Sequence, residues 1–365
     1  MLNNILILKG DKTLILERII LTCSLHIKAE RTTSAIYHLL LGKKSIQTVQ
    51  DAHIYQLEKF YGIYRTLTKK AFNQKIVELV NKQHLVKNPS QETTYICTHT
   101  GEVWLEKHKN QFNLTYFNGL KYGETANIFF ERLILLIQTI TNSNKDFYAF
   151  IPVIDKEPVE NWVKMVYKKT KGSEVKLLGT IYEELYRLLV SYSNKEANIF
   201  VDRLTGYKKY GMSIEQLAAG YKCDIHDIQL LLSGVLQSIV HIVQSKNNDF
   251  PFLSFILKDL SLASPITKST SVTHDLLKKT YSIDQIAKIR QLKINTIYDH
   301  FVEIALYDKA FPIHQFVSEH TQAEILRAVD QTKTYKLKQL KQQLSVDITY
   351  FQIRLVLAIK NAGSK

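Results

Sequence analysis

Between Ser282 and Phe301 the sequence carries a constrained succession of helix start, small residue, turn and second helix. Ser282 is followed three positions later by Gln285, a reciprocal capping box that fixes a helix N-terminus. Ile286 and Ala287 come next, and a small side chain at Ala287 lets a second helix cross close to it. Leu292 falls in a turn, placed to plug the space between the two helices. Ile297 and Phe301, four apart, point back to the same core. The spacing predicts two short helices meeting at an elbow, a helix-turn-helix, within residues 273–305. Lys293, Asn295, Thr296, Tyr298 and Asp299 are then left outward on the early turns of the second helix.

That outward set has the chemistry of a DNA reader. A helix N-terminus offers free N–H groups to phosphate. Asn and Thr hydrogen-bond base edges, and Lys neutralises phosphates. Lys293, Asn295, Thr296 and Tyr298 are therefore the expected groove-facing residues, with Lys278, Lys279, Lys288 and Arg290 on the DNA backbone. Asp299 and Glu303 oppose this, being repelled by phosphate, although a carboxylate accepts from cytosine. A helical hairpin in a structural core would use the same apolar positions. Charge favours a polyanionic partner: 48 Lys and Arg against 34 Asp and Glu give a net charge of +14. From residue 266 onward the balance is 15 against 9, the densest basic part of the chain.

The remaining sequence is also mostly helical in pattern. In 365 residues there are only 13 Gly and 6 Pro, which argues against long flexible linkers and many-turned β architectures. Leu14–Ile27 is apolar but contains Glu17 and Arg18, so it reads as a core helix and not as a membrane span. Two amphipathic helices fit residues 31–60, with Ile36, Leu39 and Leu40 preceding a break at Gly42 and with Val49, Ala52 and His53 after it. A third fits Lys69–Lys82, with Phe72, Ile76, Leu79 and Val80 on one face and Thr68 available as a cap. His84–Val86, the turn residues Asn88–Gln91 and the alternating Thr93–Cys97 predict a β-hairpin, and Thr98 then caps another helix. Helices followed by a hairpin resemble a winged-helix domain over residues 31–108; a helical domain with one incidental hairpin fits equally. Ile128–Ile140 and Thr180–Ser191 are helical, and Phe147–Ile154 is an apolar run that is either a strand or a core segment. Ser261–Ser271, rich in Ser and Thr, is the best linker.

The elbow pattern occurs a second time, 69 residues earlier. Ser213-Ile214-Glu215-Gln216-Leu217-Ala218 parallels Ser282-Ile283-Asp284-Gln285-Ile286-Ala287. Cys223, Ile225, Ile228 and Leu232 then fall where Leu292, Ile294, Ile297 and Phe301 fall, and Lys208-Lys209 precede the unit as Lys278-Lys279 precede the other. A degenerate helix-turn-helix is expected over residues 200–240. Its outward positions hold Asp224, His226 and Asp227, which suit packing or a protein partner better than phosphate.

Tyr281-Ser282-Ile283-x-x-Ile286-Ala287, Thr296-Ile297-x-x-His300-Phe301-x-Glu303-Ile304-Ala305-Leu306, Leu337-Lys338-x-Leu340-Lys341-x-x-Leu344 and Tyr350-x-x-Ile353-Arg354-Leu355-Val356 together resemble the helix-turn-helix module at the C-terminus of many bacterial RecQ-type helicases, over residues 268–358. The helicase core itself is absent. The whole chain resembles the YpbB-type helix-turn-helix proteins of Gram-positive bacteria, typically encoded beside a RecQ-like helicase. The first 200 residues carry that likeness only as a general pattern. The resemblance implies a partnership with such a helicase. Arg290-Gln291 departs from the commonest helix-turn-helix turn, where Gly is usual.

No phosphate-binding loop and no metalloprotease, serine-hydrolase or EF-hand pattern is present, so no NTP-driven motor is encoded. Asp155, Glu174 and Lys176 have the residue types of a metal-dependent nuclease site, but such a site needs its acids on adjacent strands. A loop acid and a solvated charge pair explain them as well. Cys23, Cys97 and Cys223 are odd in number and far apart, which reads as buried thiols in a cytoplasmic protein; no signal peptide is apparent. The expected architecture is mainly α: a winged-helix-like domain with a small β-hairpin over 1–110, a helical middle over 111–262 and a helix-turn-helix domain over 268–360. The expected function is non-catalytic DNA binding in support of a RecQ-like helicase in recombination or repair, with neither cofactor nor metal and without a membrane. A protein–protein adaptor and a transcription regulator are the alternatives.

Overall fold

The apolar run before Ile27 forms helix α1 (Ile15–Ile27), buried around nearly its whole circumference. The two charges that argue against a membrane span are both satisfied inside the protein. Glu17 accepts from Lys75 at 2.9 Å, and the Arg18 guanidinium donates to the carbonyls of Phe112 (2.9 Å) and Lys109 (2.8 Å). This is how buried ionic groups are normally tolerated. The computed structural model describes residues 14–89, 93–260 and 266–362, which contain eighteen α-helices and one two-stranded hairpin.

After α1 come α2 (Thr33–Leu41), α3 (Ile46–Ile54) and α4 (Lys69–Asn81), in the order the periodicity predicts. Gly42 ends α2 at φ 69°, and a Cβ there would meet the Gly62 Cα at 2.7 Å, so both the turn and the close chain approach need glycine. Thr68 caps α4, as expected, by accepting from the Ala71 N–H. Strand β1 (Leu85–Lys87) pairs antiparallel with β2 (Tyr95–Cys97), Leu85 opposite Cys97 and Lys87 opposite Tyr95. The hairpin's expected turn, Asn88–Gln91, lies partly outside the described residues. Thr98 caps α5 (His99–Lys107).

The middle of the chain is built on two long helices, α6 (Gly119–Ser143) and α11 (Ile225–Ser245), which pack on each other. Around them lie α7 (Glu157–Thr170), α8 (Glu174–Leu189), α9 (Asn194–Asp202), α10 (Ile214–Gly220) and α12 (Pro251–Leu257). Among the described residues α11 alone is long and apolar enough to cross a membrane, and here it is a core helix against α1, α6, α9, α10 and α12. The C-terminal part contains α13 (Lys268–Lys278), α14 (Ile283–Arg290), α15 (Ile294–Tyr307), α16 (Glu319–Thr332), α17 (Leu337–Gln342) and α18 (Tyr350–Ala362). It is joined to the N-terminal helices: α3 packs on α15 and α18, and Gln50 donates to the Arg354 carbonyl at 2.8 Å.

Three expectations are corrected. Phe147–Ile154 is neither strand nor core: Phe147, Tyr148, Ile151 and Val153 are exposed. The buried Gln138 side chain replaces a strand partner, donating to the Ile151 carbonyl (3.0 Å) and accepting from the Val153 N–H (2.9 Å). Of the expected linker, residues 261–265 lie outside the described residues, while 268–271 form the first turn of α13. Thr267 caps that helix, and Thr270 and Thr273 are buried. Asp227, expected outward, is 2% exposed, and its carboxylate accepts from the N–H groups of Leu14 (2.9 Å) and Ile15 (2.7 Å). It therefore caps α1 from more than 200 residues away in sequence. Asp227→Ala leaves those donors without a partner and should cost about 2–3 kcal/mol of unfolding free energy in urea titration; a loss under about 0.5 kcal/mol would show that the cap is dispensable.

Candidate nucleic-acid interface

The elbow forms as the residues dictate. The Ser282 hydroxyl accepts from the Gln285 N–H (3.3 Å) and the Gln285 side chain accepts from the Ser282 N–H (2.9 Å), closing the capping box at the start of α14. At the other end Gln291 takes the left-handed conformation, φ 51°, at the position where Gly is usual. The Leu292 N–H donates to the Ala287 carbonyl (3.0 Å), and the Gln291 N–H to that of Lys288 (3.2 Å). This six-to-one and five-to-two pair is a Schellman cap. It brings Leu292 over Ala287 while Ile286, Ile297 and Phe301 are fully buried beneath.

The same backbone recurs one unit earlier. Ser213 and Gln216 form a capping box, Lys222 is left-handed at φ 52°, and the Cys223 N–H donates to the Ala218 carbonyl at 3.0 Å. The expected degenerate unit has this geometry, but the N-terminus of its second helix is sealed. Asp224 caps α11 and pairs with Lys75 (3.4 Å), His226 Nδ1 contacts the Tyr64 hydroxyl (2.6 Å), and Asp227 holds α1.

The corresponding end of α15 is open. Lys293 is its N-cap residue and makes no side-chain cap hydrogen bond, so the first-turn N–H groups face outward without an internal side-chain acceptor. Lys293, Ile294 and Asn295 are exposed and Thr296 half-buried; Lys278, Lys279 and Lys288 are exposed on the neighbouring helices. The structure thus brings Lys293 and Asn295 together on one surface turn, with Lys278, Lys279 and Lys288 on the helices beside it.

Two expected contacts are placed differently. Tyr298 is half-buried, its ring stacked on Phe351 of α18 with centroids 4.1 Å apart and planes 17° apart. Arg290 is directed inward: it donates to the Ser269 carbonyl (2.8 Å), the Ser269 hydroxyl (3.0 Å) and the Thr273 hydroxyl (2.7 Å), bolting α14 to α13. The acids that argued against DNA are also engaged. Asp299 pairs with Arg354 (2.7 Å), and Glu303 accepts from the Thr267 N–H (2.6 Å) and the Thr270 hydroxyl (2.5 Å), capping α13. Sequence reasoning missed Arg354 and Phe351 as cover for α15; their spacing marks only a core helix. Asp155 lies in the loop before α7 and Glu174 opens α8, so neither sits on a strand; among the described residues no cluster of three or more His, Cys, Asp or Glu has a metal-binding arrangement.

His300 sits behind the elbow, its Nδ1 2.8 Å from the Thr273 hydroxyl, which also accepts from Arg290. Burial, reinforced by the Arg290 charge, pushes its pKa below the ordinary value of 6.5. A depressed histidine binds its proton more weakly when folded. Its stabilising effect is present above 6.5 and is lost as the pH falls through the folded value. Between about pH 7.5 and about pH 5.5 the parent protein should lose stability relative to His300→Asn; parallel urea curves would exclude the effect. Gln291→Gly should stabilise by about 1 kcal/mol in the same assay because it relieves the left-handed backbone; destabilisation would contradict the assigned elbow.

A helix-turn-helix domain family matches residues 269–357, spanning the elbow and the helices that cover it, and a domain of this kind suggests DNA binding. No solved structure matches the chain. Protein YpbB of Bacillus subtilis (strain 168) is 30% identical over 339 residues, 93% of this chain and 95% of that protein. A likeness sustained over both chains nearly end to end extends well beyond the helix-turn-helix domain, and the chain belongs to the YpbB family.

Proposed function

We propose that this chain is a non-catalytic, cytoplasmic DNA-binding protein that serves as an accessory partner of a RecQ-like helicase in recombination or repair. The observation that carries the DNA reading is the uncapped, exposed first turn of α15, with Lys278, Lys279 and Lys288 on the adjoining helices. Backbone N–H groups and ammonium groups supply the donors a phosphate needs, and Asn295 supplies a base-edge contact. The helicase partnership is supported by the resemblance of residues 268–358 to the C-terminal module of those enzymes. The hairpin after α4 fits a winged-helix-like domain as a second contact region.

The covered flank of α15 favours one other reading, a protein adaptor that touches DNA only weakly. Tyr298 and Asp299 are engaged by α18, which restricts contact to the end of the helix. A mobility shift on duplex DNA at low salt separates the two. The triple substitution Lys278→Glu, Lys288→Glu and Lys293→Glu should weaken duplex binding by at least about tenfold and flatten its salt dependence. Unchanged affinity would remove this surface. Negligible duplex binding by the parent protein, with stable co-purification of a helicase, would select the adaptor.

A further inference from the structure

We propose that residues 144–153 and 205–211, on the middle part of the chain, form a binding surface for single-stranded DNA. The proposal rests on reading the chain as a DNA-binding protein, but on none of the helix-turn-helix residues. Both loops are held in fixed conformations. The first leaves α6 through a left-handed Asp146 (φ 52°), with the Phe147 N–H donating to the Asn142 carbonyl (3.0 Å). Further along, Gln138 pins Ile151 and Val153. The second is a tight turn in which Gly206 and Lys209 exchange both backbone hydrogen bonds (2.8 and 3.1 Å) around a left-handed Lys208. It is closed by the Gly211 N–H donating to the buried Thr205 hydroxyl at 3.0 Å. Gly211 cannot be replaced there, since a Cβ would lie 2.2 Å from the Arg203 carbonyl oxygen.

The two loops are joined. The Tyr207 N–H donates to the Thr141 hydroxyl (3.1 Å), and the Phe147 and Tyr207 rings meet edge to face at 6.0 Å. On these ordered backbones the aromatic side chains face solvent: Tyr210 is 83% exposed, Tyr148 63% and Phe147 44%. Lys145, Lys208 and Lys209 stand among them, with Asp146 the sole acid in either loop. Exposed rings interleaved with cations on a rigid frame match what an unpaired strand requires, stacking faces for bases and charges for its phosphates. Bases paired in a duplex do not offer those faces.

The test is fluorescence anisotropy of the full chain with labelled oligo(dT) and with a blunt duplex, at several salt concentrations. Tyr148→Ala with Tyr210→Ala should weaken oligo(dT) binding about tenfold and leave duplex binding in place, while Tyr148→Phe with Tyr210→Phe retains both. Lys208→Glu with Lys209→Glu should weaken oligo(dT) binding and lower the salt slope by about 0.7 for each phosphate that is no longer neutralised. The triple glutamate variant of the helix-turn-helix should lose the duplex yet keep oligo(dT), which separates failure of one surface from failure of the other. A thermal melt of each variant confirms folding. The proposal is overturned if the parent chain does not bind oligo(dT) at low salt. It is equally overturned if folded loop variants bind oligo(dT) unchanged, including the case in which they lose an acidic protein partner instead.

Discussion

Everything at the C-terminal end hangs on a chain reversal made within three residues. To set α15 across α14, one residue must turn left-handed and the next must carry an apolar side chain back over the helix it has just left. Gln291 and Leu292 do this, with the Leu292 N–H donating to the Ala287 carbonyl and the small Ala287 side chain leaving room. A non-glycine residue in that conformation costs on the order of 1 kcal/mol. The cost is outweighed by the burial of Ile286, Ile297 and Phe301, each worth roughly 1.5–3 kcal/mol. The departure from glycine is thus tolerated wherever the core beneath is this complete, and Lys222 in the earlier unit repeats it.

The two units show how one backbone takes two roles by exchanging the residue at the head of the second helix. In the earlier unit that residue is Asp224, whose carboxylate satisfies the helix's own donors; three positions on, Asp227 satisfies those of α1. An end filled with carboxylates is closed to phosphate and becomes scaffold. In the later unit the residue is Lys293, which has no acceptor to offer, so the donors remain open and a cation is added to them. The difference between scaffold and candidate interface is the sign of charge at one cap position and where the adjoining helices lie.

The elbow, its repeat, the order of the N-terminal helices and the hairpin were legible because each is written locally, as a cap, a small residue or a period. What was not legible depends on partners distant in sequence. Nothing near Asp227 says that its acceptor oxygens will find the N-terminus of α1, and nothing near Arg290 says that Ser269 and Thr273 will take its donors. Phe147–Ile154 misled for the same reason: its apolar composition promises burial, while its backbone partner is a side chain, Gln138. Of the candidate site, the positions that remain on the surface are the ones whose exposure follows from the elbow alone, namely Lys293 and Asn295. Tyr298, one turn further, depends on where α18 lies.

The position of α18 also decides how DNA would approach. Its residues Ile353, Leu355, Val356 and Leu357 are 0–3% exposed, and together their burial is worth on the order of 6–12 kcal/mol, comparable with the whole stability of a domain. Phosphate contacts by a few lysines do not offset such a loss at physiological salt. The helix therefore stays in place when DNA arrives, with the Tyr298–Phe351 stack and the Asp299–Arg354 pair intact. The flank of α15 that would lie along a groove is closed, and only the N-terminal turn projects. Contact through that turn is dominated by phosphate and by Asn295 at one base edge, which favours recognition of DNA form over recognition of sequence.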